Sequence, residues 1–212
     1  SLVGSEMCIR DRDYIWKSAN LEGINVTYLE TQVIYDGGVV NGLTVDNIIA
    51  INNLKYAWQF ILESENLSCD FKLLTYLHKL TCDKLVLNQD LGKLRTTPVN
   101  IGGTNWKPQF PIESQIIEEL EMLLKQNQKT KTEIAIEVML WIMRRQMFID
   151  GNKRVGMLFA NKIMIDNGCG IITISQKDQP TFFEKLIRYY ETGDNTDSVS
   201  YTHLTLPTKR IV

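Results

Sequence analysis

Histidine is scarce in this chain, and its scarcity removes several kinds of catalysis. Only two histidines occur among the 212 residues, and one of them, His203, lies in a terminal segment that we discount below. Ser-His and Cys-His nucleophiles need an imidazole beside the attacking atom. The remaining His78 stands at helical spacing with Leu74 and Leu77, which favours a place in the core or a hydrogen bond between helices. Most histidine-dependent chemistry is therefore excluded.

Cysteine pairs, long apolar runs and a strong net charge are also missing. The cysteines form neither a CxxC pair nor a zinc-binding spacing, so we expect reduced thiols and a cytoplasmic protein. No apolar run approaches the roughly 20 residues that cross a bilayer, so we expect no membrane insertion. The net charge of −2 argues against a surface dominated by contacts to nucleic-acid phosphates. With 44% hydrophobic residues, the chain can bury a real core.

Both termini look foreign to the rest of the chain. Residues 6–11 can be written in codons whose reverse complement encodes residues 199–204. An inverted match of this kind resembles a sequencing adapter translated at both ends of a short DNA fragment. We therefore expect residues 1–12 and 198–212 to be translated adapter, and the sequence-based fold prediction leaves them out.

Helices separated by short breakers are predicted for most of the remaining chain, so the fold class is mainly α. Apolar residues recur at helical spacing behind polar residues that can cap a helix. A helix over residues 152–166 should end at Asn167 and Gly168, the usual left-handed stop. The other predicted starts are Thr44, Ser68 or Asp70, Pro111 in a first turn, and Thr132 beside Glu133.

Two segments break the helical pattern. Residues 95–110 contain an alternating apolar run, a Gly102-Gly103 turn and Trp106, which together predict a small β-hairpin. We expect Trp106 to anchor this hairpin on the helices. Residues 171–174 are a short strand candidate.

One segment, Gln-Met-Phe-Ile-Asp-Gly-Asn-Lys-Arg ending at Arg154, concentrates most of the chemistry. A turn at Asp150, Gly151 and Asn152 can point backbone N–H groups at one spot, beside the positive end of the following helix. Lys153 and Arg154 add positive charge to that spot. Asp150 supplies the hard oxygen that a nucleotide-bound Mg²⁺ prefers. The segment therefore predicts a phosphate site.

The two helices around this segment and the upstream hairpin together resemble the Fic (Fido) family, whose core motif reads H-x-F-x-[D/E]-G-N-[G/K]-R. Residues 148 and 150–154 fit that motif in register. The resemblance implies a Fic-type domain over residues 43–197. This domain would have a helical core and a small β-hairpin flap. It also implies a bacterial protein that binds ATP with Mg²⁺ and transfers AMP to a hydroxyl of a protein.

The family resemblance implies a role for each motif position. Asp150 would hold Mg²⁺, and Gly151, Asn152, Lys153 and Arg154 would bind the nucleotide. The flap would hold a protein substrate in extended form by backbone pairing. Self-modification and a homodimer are compatible with this arrangement, and neither a membrane nor a nucleic-acid partner is expected. The implied flap residues are Val99, Ile101, Gly103 and Thr104.

A second family signature, Ser-Ala-Asn-Leu-Glu-Gly, lies within residues 13–42 and matches the inhibitory pattern [S/T]-x-x-x-E-[G/N]. In the self-inhibited class that this resembles, the glutamate reaches the nucleotide site and blocks productive binding of the terminal phosphate. We therefore predict an N-terminal inhibitory helix region in which Ser18, Glu22 and Gly23 form the inhibitory motif.

The first departure from the family pattern is at the catalytic position. The family's histidine, which acts as the general base, is Gln146 here. A neutral amide does not accept a proton near pH 7, and loss of a general base typically lowers the rate by about 10²–10⁴. Gln146 could still position a hydroxyl by hydrogen bonding, and Mg²⁺ with the phosphate turn would leave residual catalysis.

The second departure is Met157, where AMP-transferring members often carry an arginine for the outer phosphates. The inhibitory glutamate normally pairs with that arginine, so Glu22 would need Lys153 or Arg154 instead. Lys153 without the later arginine resembles the Doc branch, which transfers the terminal phosphate of ATP. Three functions remain open: AMP transfer impaired by Gln146, which we favour, a Doc-like phosphotransfer, and a catalytically inactive nucleotide-binding regulatory module.

Overall fold

Helices dominate the structure, a computed structural model that describes residues 2–64 and 67–194, with side chains from residue 11 onward. The predicted adapter segment 198–212 lies outside the described residues. This part of the chain forms eight α-helices and one 3₁₀ turn, which confirms the mainly α prediction. None of the described helices is long and apolar enough to cross a membrane. The elements are α1 (Leu2–Leu21), α2 (Tyr28–Tyr35), α3 (Val45–Glu63), α4 (Phe71–Cys82), α5 (Glu113–Leu124), α6 (Lys131–Arg145), α7 (Asn152–Asp166), the 3₁₀ turn (Gln176–Asp178) and α8 (Gln179–Thr192).

Several helix ends lie where capping chemistry predicts them. Thr44 and Asp70 precede α3 and α4, and their side-chain oxygens accept hydrogen bonds from N–H groups of the first turn. Those N–H groups have no partner inside the helix, so each cap contributes about 1 kcal/mol. α7 begins at Asn152 and ends at Asp166, directly before the predicted stop.

Two predicted helix starts are wrong. Thr130, not Thr132, caps α6, because its hydroxyl accepts from the N–H of Glu133 while the Glu133 carboxylate accepts from the N–H of Thr130. Such a reciprocal capping box satisfies two free donors at once. α5 begins at Glu113 without a side-chain cap, so Pro111 precedes that helix instead of lying in its first turn.

α6 and α7 form the centre of the fold. They pack closely on each other, while α3 and α4 cover α7, and α1 lies on α3. The largest fully buried side chains include Trp58, Phe148 and Phe159, and full burial of such a side chain contributes about 1.5–3 kcal/mol. The turn that joins α6 to α7 is thus held by the best-packed part of the molecule.

Residues 95–110 form no strand in the described structure, so the predicted hairpin is not confirmed. The chain turns at its glycine pair as expected. However, the carbonyl groups near the two ends of the segment are bonded to Arg95, whose guanidinium donates to Thr97, Pro108 and Gln109. A carbonyl engaged by a guanidinium is not used for a ladder, so the segment is a looped flap. We call residues 95–110 the flap.

Residues 171–174 are buried but do not form the predicted strand. The side chain of Asn161 on α7 takes the place of a neighbouring strand. Its Oδ1 accepts from the N–H of Ile172 at 2.7 Å, and its Nδ2 donates to the carbonyl of Ile172 at 2.9 Å. One amide therefore satisfies both backbone groups, and no partner strand is required.

Candidate active site at the α6–α7 turn

One buried asparagine closes the turn between α6 and α7. Asn152 is 3% exposed. Its Oδ1 accepts from the N–H of Phe148 at 3.0 Å, and its Nδ2 donates to the carbonyl of Phe148 at 2.9 Å. The Asn152 side chain is occupied by these bonds. A ligand could therefore bind Asn152 through its backbone N–H, which lies at the start of α7.

Gly151 occupies a position that no other residue fits. Its φ of +76° lies in the left-handed region, and a methyl group added to it would overlap the sulfur of Cys82. A side chain there would therefore be both strained and blocked. Burial raises the pKa of the Cys82 thiol, so this cysteine is a neutral packing partner beneath the turn.

Arg154 is the central cation of the site. Its side chain is 5% exposed. One terminal amino group donates to the carbonyl of Thr81 at 3.0 Å, and the other donates to Oδ2 of Asp150 at 2.7 Å. Burial opposes its charge, but Glu22 and Asp150 outweigh that effect and raise the pKa of Arg154. The guanidinium is permanently charged and held from three sides.

Glu22 approaches Arg154 from the end of α1. The Glu22 carboxylate lies 3.1 Å from Nε of Arg154 and 3.9 Å from Nζ of Lys153. The predicted partnership of Glu22 with these two cations is therefore confirmed. The short Nε contact is an ion pair whose N–H does not point at the oxygen, and Oε1 of Glu22 is buried without a hydrogen bond. Glu22 is held mainly by charge.

Two neighbours fix the position of Glu22. The N–H of Glu22 bonds to the carbonyl of Ser18 at 3.2 Å, which continues the last turn of α1, and Gly23 follows at the helix end. The Ser18 hydroxyl accepts from the indole N–H of Trp58 at 3.1 Å. Ser18 thus ties α1 to the core of α3, and all three residues of the predicted inhibitory motif lie beside the turn or support it.

Lys153 is also directed toward α1. Its Nζ donates to the carbonyl of Leu21 at 3.3 Å and lies 5.1 Å from the centre of the Phe183 ring. The ammonium group therefore neutralises part of the negative end of α1. Lys153 and Arg154 together hold one carboxylate at the start of α7, where an anion is favoured.

Asp150 is the residue that fits a divalent cation. Its side chain is 61% exposed, so the carboxylate can reach a ligand as well as Arg154. No group of three or more potential metal ligands occurs among the described side chains. Mg²⁺ commonly takes only one or two protein carboxylates and fills the remaining positions with water and substrate phosphates. A lone exposed Asp150 therefore suits a Mg²⁺ that arrives with a nucleotide.

Gln146, at the position of the family's base, ends α6 in the left-handed conformation with φ of 45°. Its Nε2 donates to the carbonyl of Met143 at 2.6 Å, and its Oε1 accepts from Nδ2 of Asn152 at 3.2 Å. The amide is engaged on both sides, so it acts here as a cap of α6 and a brace of the turn.

His78 is buried in the core, as its spacing predicted, and it supports the turn from below. Its ring is fully buried and stacks on Phe148 at 4.2 Å. Nδ1 accepts from the N–H of Gly92 at 2.8 Å, and Nε2 lies 3.2 Å from the carbonyl of Asp150. This pairing requires the neutral Nε2–H tautomer. Burial lowers the pKa of His78 to about 4, so the ring is an uncharged brace.

Arg95 joins the flap to the turn. Its Nε donates to the carbonyl of Gln146 at 2.6 Å, and its backbone N–H donates to the carbonyl of Met147 at 3.0 Å. The same guanidinium binds the flap carbonyls described above, and its carbon lies 5.2 Å from the ring centre of Phe110. Burial lowers the pKa of Arg95. These contacts with distant carbonyl groups could not be inferred from spacing in the sequence.

The tip of the flap lies on α8, a helix whose role the sequence did not indicate. Thr104 donates to Glu191 at 2.6 Å, and the Trp106 ring stacks on Tyr190 at 5.9 Å. A methyl group on Gly103 would meet Ile187 at 2.8 Å. The expected anchoring of Trp106 on the helices is confirmed. Val99 and Ile101 lie along the same segment, upstream of its turn.

Met157 lies close to the ion pair. It is 4% exposed and, with Leu54, lines a small cavity beside Glu22 and Arg154. A thioether offers no charge to a phosphate. Arg154 is therefore the one arginine within ion-pair distance of Glu22 in the described part of the chain.

Comparison with known proteins gives a family match over part of the chain and solved structures with a similar fold. Residues 68–164 match the model of the Fic/DOC family. A Fic domain containing signaling protein from Bacteroides thetaiotaomicron superposes with a TM-score of 0.71 at 17% identity, over 89% of this chain and 75% of that chain. No curated protein sequence matches significantly.

Two further solved structures share the fold. Fic-1 from C. elegans superposes with a TM-score of 0.76 at 20% identity, over 92% of this chain and 59% of that chain. BepC from Bartonella tribocorum, solved with bound AMPPNP, superposes with a TM-score of 0.57 at 16% identity, over 74% of this chain and 84% of that chain. The present chain therefore spans less than two thirds of the C. elegans protein.

Proposed function

Because residues 68–164 match the model of the Fic/DOC family, we propose that the chain binds ATP with Mg²⁺ at the α6–α7 turn and transfers AMP to a hydroxyl of a protein. The observation that carries this proposal is the buried Arg154 at the start of α7, paired with Glu22 and Asp150. A permanent cation beside free helix N–H groups suits a phosphate.

The proposed nucleotide site uses the backbone of the turn as much as its side chains. Gly151 allows a phosphate to approach the main chain, and the N–H groups of Asn152 and Lys153 lie at the positive end of α7. Asp150 would hold Mg²⁺, which would neutralise phosphate charge. The solved BepC structure carries AMPPNP on the same fold, and this supports a nucleotide as the ligand.

The flap is the proposed contact for the protein substrate. Thr104 and Trp106 fix its tip on α8, and Arg95 fixes its ends beside Gln146. An extended target could pair its backbone with Val99 and Ile101 and so complete the β structure that the flap lacks by itself. Its hydroxyl would then lie next to the motif.

Glu22 is the proposed inhibitor of this reaction. It holds Arg154 and Lys153 before any nucleotide arrives. A nucleotide phosphate and the Glu22 carboxylate would compete for the same positive charge, so productive binding requires Glu22 to withdraw.

A catalytically inactive binding module is the second candidate, and the geometry of Gln146 favours it. The Gln146 amide is bonded to Met143 and Asn152. It must release one of these partners before it can orient a hydroxyl, and it cannot accept the proton. In a chain that still transferred AMP, the only sources of catalysis would be transition-state stabilisation by Mg²⁺ and by the turn.

Labelled ATP separates these functions. The parent chain and its Glu22→Gly variant are incubated with Mg²⁺ and ATP labelled at the α- or the γ-phosphate, alone and with a cell extract. We expect α-label on protein, strongest for Glu22→Gly. Transfer of γ-label alone would instead identify a Doc-like phosphotransferase, which Lys153 and Met157 resemble.

Binding is measured in parallel by thermal unfolding. Saturation of a site at about 100 times its Kd raises the melting temperature of a chain of this size by about 5–10 °C. A shift without any label transfer identifies the binding module. No shift with ATP and Mg²⁺, for either chain, would falsify the proposed function.

A further inference from the structure

A small basic cleft lies between the flap and the end of α6. Its volume is about 230 Å³. Sites for whole small-molecule ligands usually measure about 300–1,000 Å³, so this cleft is the size of one polar side chain. It is lined by Trp106, Lys107, Pro108, Gln109, Arg144 and Arg145.

Arg144 is held rigidly at this cleft. Its Nε donates to the carbonyls of Tyr189 and Tyr190 at 3.1 and 3.2 Å. Its guanidinium carbon lies 4.8 Å from the ring centre of Trp106 and 5.6 Å from that of Tyr189. Neither terminal amino group has a hydrogen-bond partner among the described residues. A planar, oriented guanidinium with free donors is suited to bind a carboxylate or phosphate.

The charge in the cleft is not balanced by the protein. Arg145 is neutralised by Glu119 at 2.9 Å. Arg144 and Lys107 have no carboxylate within ion-pair distance in the described part of the chain. The other nearby carboxylates are engaged elsewhere: Glu191 accepts from Thr104, and Glu137 pairs with Lys129.

The cleft is also mechanically tied to the position where transfer would occur. Arg95 donates to the carbonyl of Gln146 and to those of Pro108 and Gln109, which form the rim of the cleft. Arg144 precedes Gln146 by two positions on the same chain segment. A group bound in the cleft would therefore be held at a fixed distance from the motif.

We propose that this cleft is a specificity site that binds one anionic side chain of the target protein, with Arg144 as the main contact and Lys107 as the second. This inference rests on the proposed function, because it assigns the cleft to the substrate that lies along the flap. The target would carry an acidic or phosphorylated residue at one fixed spacing from the hydroxyl that is modified.

Peptide binding tests the site without requiring any transfer reaction. Fluorescent peptides with a central serine carry glutamate, phosphoserine or glutamine at each flanking position in turn, and their affinities for the full chain are measured by polarisation. We expect one position at which an anionic residue binds about tenfold more tightly than glutamine. Phosphoserine above glutamate identifies a phosphorylated target, and the reverse order identifies a carboxylate.

Substitutions then assign the preference to the cleft. Arg144→Gln should abolish the anion preference and leave the affinity of the glutamine peptides unchanged, and Lys107→Gln should weaken the preference by a smaller factor. Arg188→Gln, an exposed arginine of α8, is the matched control and should change nothing. Thermal unfolding of each variant checks the fold, and Arg144→Lys retains the charge if Arg144→Gln unfolds.

Three outcomes overturn the proposal: no peptide binds, no position prefers an anion, or Arg144→Gln and Arg188→Gln keep the same preference. If Arg144→Gln lowers the affinity for ATP and Mg²⁺ instead, the cleft belongs to the nucleotide. Failure of ATP binding by the parent chain, with the peptide preference intact, would contradict the proposed function and leave the specificity site in place.

Discussion

The two sides of the α6–α7 turn are held closed by different kinds of contact. On one side, Glu22 of α1 meets Arg154 and Lys153 through full charges, and the arginine is almost completely buried. On the other side, Thr104 and Trp106 of the flap rest on α8 through an exposed hydrogen bond and a stacked pair of rings. The first contact is an ion pair between mostly buried groups, whereas the second combines an exposed hydrogen bond with the stacking of Trp106 on the buried ring of Tyr190.

This difference indicates how each side would respond to its ligand. A buried charge pair is costly to break unless another charge replaces the one that leaves. Glu22 is therefore suited to exchange with a phosphate and with little else. We expect the Glu22 side to select a phosphate by its charge, and the flap side to select an extended chain by backbone pairing together with the anionic residue proposed for the Arg144 cleft.

Replacing Arg154 by alanine should have the largest effect on the charged side. It leaves the mostly buried Glu22 carboxylate without its closest partner, and breaking such a pair typically costs about 3–5 kcal/mol. Urea unfolding measures the loss of stability, and ATP binding should disappear with it. Lys153→Ala is the control, because that ammonium is 3.9 Å from Glu22 and partly exposed; it should cost far less. Equal losses for the two variants would contradict the central role of Arg154.

The pH dependence of stability should reveal the neutral His78 under the same side of the turn. Its pKa is lowered to about 4 in the folded chain, below the usual value of about 6.5 for an unfolded histidine. The unfolded chain therefore binds more protons between these values, so His78 contributes fully above pH of about 6.5 and loses its contribution as pH falls toward about 4. The total is on the order of 3 kcal/mol.

The diagnostic range for this effect is about pH 5 to 6.5, where few carboxylates titrate. His78→Phe keeps an aromatic ring against Phe148 but removes the titrating group. We expect the slope of stability against pH to be shallower for this variant, and an unchanged slope would show that His78 is not the group responsible.

Glu22→Gln should strengthen nucleotide binding by removing the competing charge. A coupling of the usual size corresponds to about a 5–150-fold gain in affinity for ATP with Mg²⁺, which calorimetric titration measures. Glu118→Gln, an exposed carboxylate on α5, serves as the control and should leave affinity unchanged. A weaker affinity for the Glu22→Gln chain would mean that Glu22 supports the site rather than blocks it.

Trp106→Ala should give the smallest effect of these variants on stability. It tests whether the flap side of the turn acts independently of the Glu22 side. The stacked contact with Tyr190 is worth about 0.5–1.5 kcal/mol beyond its area, so unfolding should shift only modestly. Affinity for ATP should not change, because Trp106 contacts α6 and α8 and not the Glu22 pair. Trp106→Phe should restore most of the lost stability, and an altered nucleotide affinity in either variant would link the two sides.

The local structure of the turn was largely predictable, because it depends on neighbours in the sequence. Asp150, Gly151 and Arg154 act through a short segment with fixed local geometry, and Thr44 and Asp70 cap helices through their own first turns. Because Met157 is neutral, Lys153 and Arg154 were the two cations that the sequence offered as partners for the Glu22 carboxylate.

Contacts between distant segments could not be predicted in this way. Arg95 binds carbonyl groups on both ends of the flap, and nothing in its own neighbourhood specifies those partners. Asn161 satisfies Ile172 so completely that a segment with strand-like composition needs no sheet. In both cases a side chain makes the hydrogen bonds that the backbone of a neighbouring strand would make in a β-sheet.

The left-handed backbone of Gln146 has a genetic consequence. Glutamine and histidine codons differ only in their third base, and histidine is among the residues that accept a positive φ. A single point mutation could therefore introduce an imidazole here without reshaping the end of α6. Relatives that carry this glutamine are therefore one base change from a histidine codon. Natural variation at this codon would show whether selection favours or disfavours histidine at this position.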